Sequence, residues 1–220
     1  MNTILYQIAH SVLFGRANQQ STYPPDLKGQ PGSDELVMEA LGKGIPAEKV
    51  LNEGLMVGMQ KVSTKFRENK IFVPQVLMSA KSMAAAMEHL RPHFASGAVK
   101  RKGIVVMGTV AGDLHDIGKN LVSMMIEGGG WEIVDLGVDV STEKFLEAVE
   151  QNHGCIIGLS ALLTTTMVNL ESTVKDLKSK YPDTLVMVGG APLTEDFKNN
   201  IGADFYSPDP QGAVEFLDTI

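Results

Sequence analysis

Asp113 and His115 stand two positions apart in the stretch Gly112-Asp113-Leu114-His115-Asp116-Ile117-Gly118, so on a shared loop the carboxylate can reach the imidazole. A carboxylate bonded to one ring nitrogen fixes the tautomer and makes the other nitrogen a stronger donor to a metal. Taken alone, an Asp-x-His pair is usually an ordinary surface turn. The apolar run at residues 103–108 precedes this one, and a helical pattern starts near Asp116. A strand therefore delivers His115 onto the loop at its carboxyl end, where open α/β sheets bind ligands.

Two small-residue elements repeat that placement. Ser160-Ala161-Leu162 and Gly189-Gly190 each follow an apolar run, at 155–159 and 185–188. Singly, the serine is a helix cap and the glycine pair a strand-to-helix turn. At the ends of neighbouring strands, in register with Gly118, they open a cleft suited to a long, narrow group rather than a compact phosphate. Other candidates carry less. His89 and His93 are spaced as a helical metal pair, but Pro92 interrupts them and no third ligand is evident. Gly118-Lys119-Asn120 lacks the Ser/Thr and the glycine spacing of a phosphate loop, and no dinucleotide fingerprint opens the sheet. The twelve methionines fall mostly on helix stripes or strands and read as core filling. Cys155 lies inside an apolar run and reads as a buried bystander.

The elements that must position these residues follow from periodicity. Residues 1–16 fit one short helix, and 17–33 read as loop, so 1–33 form an N-terminal extension of open role. Residues 34–92 are helical throughout, with stripes such as Leu51, Leu55, Met59, Val62, Phe66 and Val76, Ala80, Met83, Met87, Leu90. Short turns between them predict a small antiparallel bundle. Residues 93–102, with a glycine and the cluster Lys100-Arg101-Lys102, read as a linker. From 103 to 220 apolar runs alternate with helical stretches, which predicts a five-stranded parallel sheet in the flavodoxin-like (Rossmann-like) order 2-1-3-4-5. The fold class is α/β, a helical cap followed by that sheet.

Composition sets the outer bounds. The chain has 220 residues, 44% hydrophobic and 20% charged, as in an ordinary soluble protein with a real core. A net charge of -7 argues against nucleic acid. The amino terminus is a poor signal peptide and no apolar run is long enough to span a membrane. One cysteine fits a reducing cytoplasm.

Asp113-x-His115-x-x-Gly118, Ser160-x-Leu162 and Gly189-Gly190 resemble the cobalamin-binding signature of methionine synthase and of corrinoid methyl-carrier proteins. Asn52-Glu53-Gly54-Leu55 and Phe72-Val73-Pro74-Gln75-Val76 resemble that family's cap, so the resemblance runs from residue 34 to the C-terminus. It implies cobalamin as cofactor, with His115 replacing the dimethylbenzimidazole below the cobalt (base-off, His-on). Asp113 would hold the far nitrogen of His115, and Thr166 would complete the relay. Gly112, Leu114 and Gly118 belong to the same binding loop. Ser160, Leu162 and Thr164 would contact the displaced nucleotide tail, with Gly189 and Gly190 lining its channel. Phe66 and Val73 would cover the upper face. The loop Ser207-Pro208-Asp209-Pro210 falls near the tail's base, but Pro210 stands where a small residue is expected, so the loop is left outside the site.

The function implied is methyl carriage between a substrate-specific methyltransferase and a second methyltransferase with a tetrahydrofolate or thiol acceptor, supported by a reductive activator. The chain has no obvious substrate pocket of its own, so turnover needs those partners. Two alternatives share the signature: the cobalamin subunit of an adenosylcobalamin-dependent mutase, and a cobalamin-based sensor. The bundle argues against the first, and no output domain is visible for the second.

Overall fold

A computed structural model describes residues 3–220. The chain divides into two compact units, Met1–Arg101 with Gly128–Gly130, and Lys102–Glu127 with Trp131–Ile220. Among the described residues no helix is long and apolar enough to cross a membrane.

The first unit is helical: α1 (Ile4–Leu13), α2 (Ser33–Gly42), α3 (Ala47–Lys49) running through a π turn (Val50–Leu55) into α4 (Met56–Arg67), and α5 (Val73–Ala95). Side chains set the helix starts. Thr3 accepts the Tyr6 amide at α1, Glu35 accepts the Gly32 amide at α2, and Gln75 accepts the Phe72 amide at α5. Pro74 sits at the start of α5, where its missing N–H has no partner to lose. Helix α5 continues past Pro92, so the connector is shorter than residues 93–102 suggest.

The extension of residues 1–33 belongs to this unit. Ile8 and Val12 of α1 are fully buried, and α1 seats against Gly54 and Gly58. A Cβ at Gly58 would lie 2.7 Å from Val12 Cβ and 2.8 Å from the Ala9 carbonyl, so only glycine permits this approach. The loop behind α1 is tied back by buried Arg16, whose Nε donates to the Gln30 carbonyl at 2.9 Å. Ser82 on α5 donates to the Arg16 carbonyl at 2.9 Å, and Ser33 donates to the Ser82 carbonyl at 2.6 Å. His89, half of the histidine pair, instead meets Asp34 Oδ1 at 2.5 Å.

The second unit is a parallel sheet with β1 (Ile104–Thr109), β2 (Glu132–Asp135), β3 (Ile156–Ser160), β4 (Val186–Gly189) and β5 (Phe205–Tyr206). Helices α6 (Ile117–Gly128), α7 (Thr142–Gln151), α8 (Met167–Lys180), α9 (Glu195–Ile201) and α10 (Pro210–Leu217) follow the strands. The strand order is β2-β1-β3-β4-β5, as the alternation predicts. Val106, Ile157 and Val186 are fully buried among Phe145, Leu170, Val174 and Leu177, which is why the strands read as continuous apolar runs. Cys155 is buried in this core, and burial pushes its thiol pKa up.

Replacing Gly58 by leucine forces side-chain atoms into α1. The expected result is a loss of about 1–3 kcal/mol, read as a lowered Tm or urea midpoint. An unchanged midpoint contradicts the close seating of α1.

Candidate cofactor-binding site

Parallel pairing brings the three sequence elements into line. Thr109 at the end of β1 pairs with Ser160 of β3, and Ser160 pairs with Gly189 of β4. The loops carrying His115, Leu162 and Gly190 therefore leave the sheet side by side.

Asp113 is fully buried at the centre of this edge and accepts from five donors. Its Oδ1 accepts His115 Nδ1 at 2.8 Å and the His115 amide at 3.1 Å. Its Oδ2 accepts the amides of Leu162 at 2.8 Å and Leu163 at 3.1 Å, and the Thr166 hydroxyl at 2.7 Å. Burial alone raises a carboxyl pKa. Here the bonds from Thr166, the His115 ring and the Leu162 and His115 amides outweigh it and hold Asp113 well below the usual carboxylate range. The group is thus ionised, and His115 Nδ1 carries the bonded proton. That leaves the Nε2 lone pair for a metal, on a ring whose side chain is 50% exposed. The Thr109 hydroxyl donates to the His115 carbonyl at 3.0 Å and fixes the other side of the loop.

A cleft of about 340 Å³ starts at His115 and runs past Gly118, Ser160 and Leu162 to Gly189 and Gly190. Gly190 is a glycine for a protein reason: its φ is +141° and a Cβ would strike the Ala161 carbonyl. Gly118 and Gly189 have no such reason, since a Cβ on either would meet no protein atom within 4 Å. Both line the cleft, so a side chain at either position would fill open cleft space instead of meeting protein. Apolar side chains surround the histidine loop on the outside. Leu114 is 71% exposed and Ile117 76%, and Leu162, Leu163 and Val168 are exposed as well. Among the described residues no group of three or more His, Cys, Asp or Glu side chains could hold a bare metal ion. A single imidazole beside an apolar rim and an apolar-walled slot suits a metal that arrives with its own equatorial ligands, in a flat macrocycle with a tail.

Other sequence-predicted residues fall differently. Gly112 adopts a φ of +80° and serves the loop's turn, not the cleft wall. Thr164 opens the short 3-10 turn Thr164–Thr166 and is exposed outside the cleft lining. Phe66 and Val73 lie in the helical unit, at the end of α4 and the start of α5, both partly buried. The cleft also has walls that the motifs omit. Ser207, Pro208, Asp209 and Pro210 line its far end, so the loop set aside for its proline does face the cleft. Asp209 caps α10 through the Gly212 amide at 2.9 Å, with Pro210 at the first helical position, a helix-start pattern readable from sequence. Lys119 is buried along the cleft, its ammonium 2.6 and 2.7 Å from the Asp135 oxygens and 2.8 Å from Asn120 Oδ1.

Residues 103–214 match a family described as B12 binding domain, and residues 30–91 match a second family of the same description. The chain belongs to the B12-binding corrinoid proteins. Cobalamin is its cofactor. Dimethylamine corrinoid protein 3 of Methanosarcina acetivorans is 39% identical over 185 residues, 82% of this chain and 87% of that protein. Trimethylamine corrinoid protein 1 of the same organism is 40% identical over 176 residues, 78% of this chain and 82% of that protein. Among solved structures, the methanol:cobalamin methyltransferase complex of Methanosarcina barkeri superposes with a TM-score of 0.83 at 30% identity. The match covers 98% of this chain and 78% of that one. A cobalamin-binding protein from Desulfitobacterium hafniense gives a TM-score of 0.75 at 28% identity, covering 98% and 97% of the two chains.

Gly189→Val separates cofactor space from protein packing. Stability of the cofactor-free protein stays within about 0.5 kcal/mol of the parent, whereas cobalamin uptake, measured by equilibrium dialysis, falls steeply. Unimpaired uptake contradicts a tail lying against Gly189.

Proposed function

We propose that this chain carries a methyl group on a bound corrinoid between a substrate:corrinoid methyltransferase and a second methyltransferase with a tetrahydrofolate or thiol acceptor. A reductive activator keeps the cofactor in service. The observation that carries the reading is His115, with Nδ1 committed to an ionised buried carboxylate and Nε2 free at the mouth of an empty-walled slot. The names of the relatives, corrinoid proteins of dimethylamine and trimethylamine and a methanol:cobalamin methyltransferase complex, support methylamines or methanol as the class of methyl donor.

In this reading His115 Nε2 would hold the cobalt in place of the cofactor's own base (base-off, His-on). Asp113 and Thr166 fix the tautomer and strengthen the donor. When bound, the corrinoid supplies a cobalt centre that accepts and releases methyl groups. Gly112, Leu114 and Gly118 form the binding loop. Ser160 and Leu162 contact the displaced tail, Gly189 and Gly190 leave it room, and Thr164, outside the cleft lining, is left without that role. Residues 103–220 are assigned to the cofactor and the helical unit to its cover, with Phe66 and Val73 as the apolar covering residues. The buried lone Cys155 fits a reducing compartment, and we place the protein in the cytoplasm.

Axial ligation is read by electron paramagnetic resonance of the protein loaded with cob(II)alamin. Histidine labelled with the heavy nitrogen isotope converts the triplet superhyperfine splitting into doublets, and His115→Ala abolishes that doublet pattern. Triplets that persist in the labelled protein overturn ligation by His115.

Carriage is tested by mixing loaded, reduced protein with partner methyltransferases and each methylamine or methanol. One donor is consumed in proportion to bound cobalamin. Consumption of none of them overturns the methyl-carrier reading.

A further inference from the structure

The loop bearing Asp113 and His115 is tied down by two residues outside the motif. Asp139, on the loop after β2, sits in the left-handed region with φ +53°, one of two described non-glycine residues with positive φ. It clamps the histidine loop in both directions. Its Oδ1 accepts the Gly112 amide at 2.7 Å, and its own amide donates to the Asp113 carbonyl at 3.0 Å. From the opposite side Asn169, in the first turn of α8, donates its Nδ2 to the Ala111 carbonyl at 2.7 Å.

We propose that Asp139 and Asn169 are positioning residues that hold this loop in its ligating geometry before the cofactor arrives. The inference rests on the reading of His115 as the axial ligand and deepens it. Gly112, at φ +80°, has wide conformational freedom, and it immediately precedes the carboxylate that aims the ring. A rotation of the peptide linking Ala111 to Gly112 swings Asp113 out of line with His115. The carbonyl of that peptide is held by Asn169 and its N–H by Asp139, so neither end can turn without losing a bond. Aspartate and asparagine tolerate left-handed backbone better than other side-chain-bearing residues, and aspartate adds a charged acceptor at the same position. A left-handed residue whose side chain and amide both grip the ligand loop is a device for aim. The bound state then requires no ordering of that loop, and the affinity otherwise spent on ordering is retained.

Two readouts test this, one without cofactor. Amide hydrogen exchange in the cofactor-free protein reports the brace itself. In Asp139→Ala and Asn169→Ala, exchange at residues 111–115 speeds up by about tenfold or more while the strands keep their protection. Asp139→Asn, which keeps a side-chain oxygen and the left-handed preference, restores slow exchange. In the cob(II)alamin-loaded protein, the fraction showing histidine splitting falls in the two alanine variants and returns in Asp139→Asn. Unchanged exchange and an undiminished histidine-ligated fraction overturn the proposal, and so does a loss of protection spread evenly over the sheet unit. Should His115→Ala leave the splitting untouched, the axial-ligand reading fails, while the exchange result still judges the brace.

Discussion

Parallel pairing that sets Thr109 beside Ser160 and Ser160 beside Gly189 is the constraint on which the site depends. A slip of one residue in either ladder would turn every side chain of that strand to the other face and carry its loop out of line. The register is held by buried apolar residues on both faces, Val106, Ile157 and Val186 on one and Val105, Met107 and Ile156 on the other. The core therefore specifies the positions of polar groups that lie outside it. Because the two neighbouring loops leave the sheet together, two amides and a hydroxyl from the β3 loop can converge on a carboxylate from the β1 loop.

That convergence settles the electrostatics. An ionised carboxylate with no solvent contact is costly unless its lone pairs are met by donors. Asp113 meets five, and the imidazole is only one of them. The other four keep the carboxylate charged and in place when the histidine changes its own partner. A ring held this way can gain or lose a ligand at Nε2 without the surrounding loop having to refold.

Much of the sheet unit was legible in sequence because β1, β3 and β4, buried on both faces, produce apolar runs, and the alternation of strands with helical stretches suggests the observed order. The Asp113–His115 contact was legible from spacing alone, since two positions on one loop leave the side chains little choice. The approach of Thr166 followed from resemblance, not spacing. Less was legible wherever long-range contacts decide. The extension of residues 1–33 reads as one short helix followed by loop with no assigned role, yet Gly54 and Gly58 seat α1, and Arg16 gathers the following loop. Thr164 lies close in sequence to Leu162 and Thr166 but is exposed outside the cleft lining, at the start of a 3-10 turn that gives consecutive residues different surroundings. Asp139 and Asn169 carry no motif, and only the fold brings them to Ala111 and Gly112.

The burial of Asp113 has one more consequence. Its contacts are three backbone amides that do not release protons, a buried threonine hydroxyl, and a histidine whose ring reaches water. Among the described residues His115 is the one side chain touching that carboxylate that also reaches solvent, so the ring stands as the turnstile of an otherwise sealed acid.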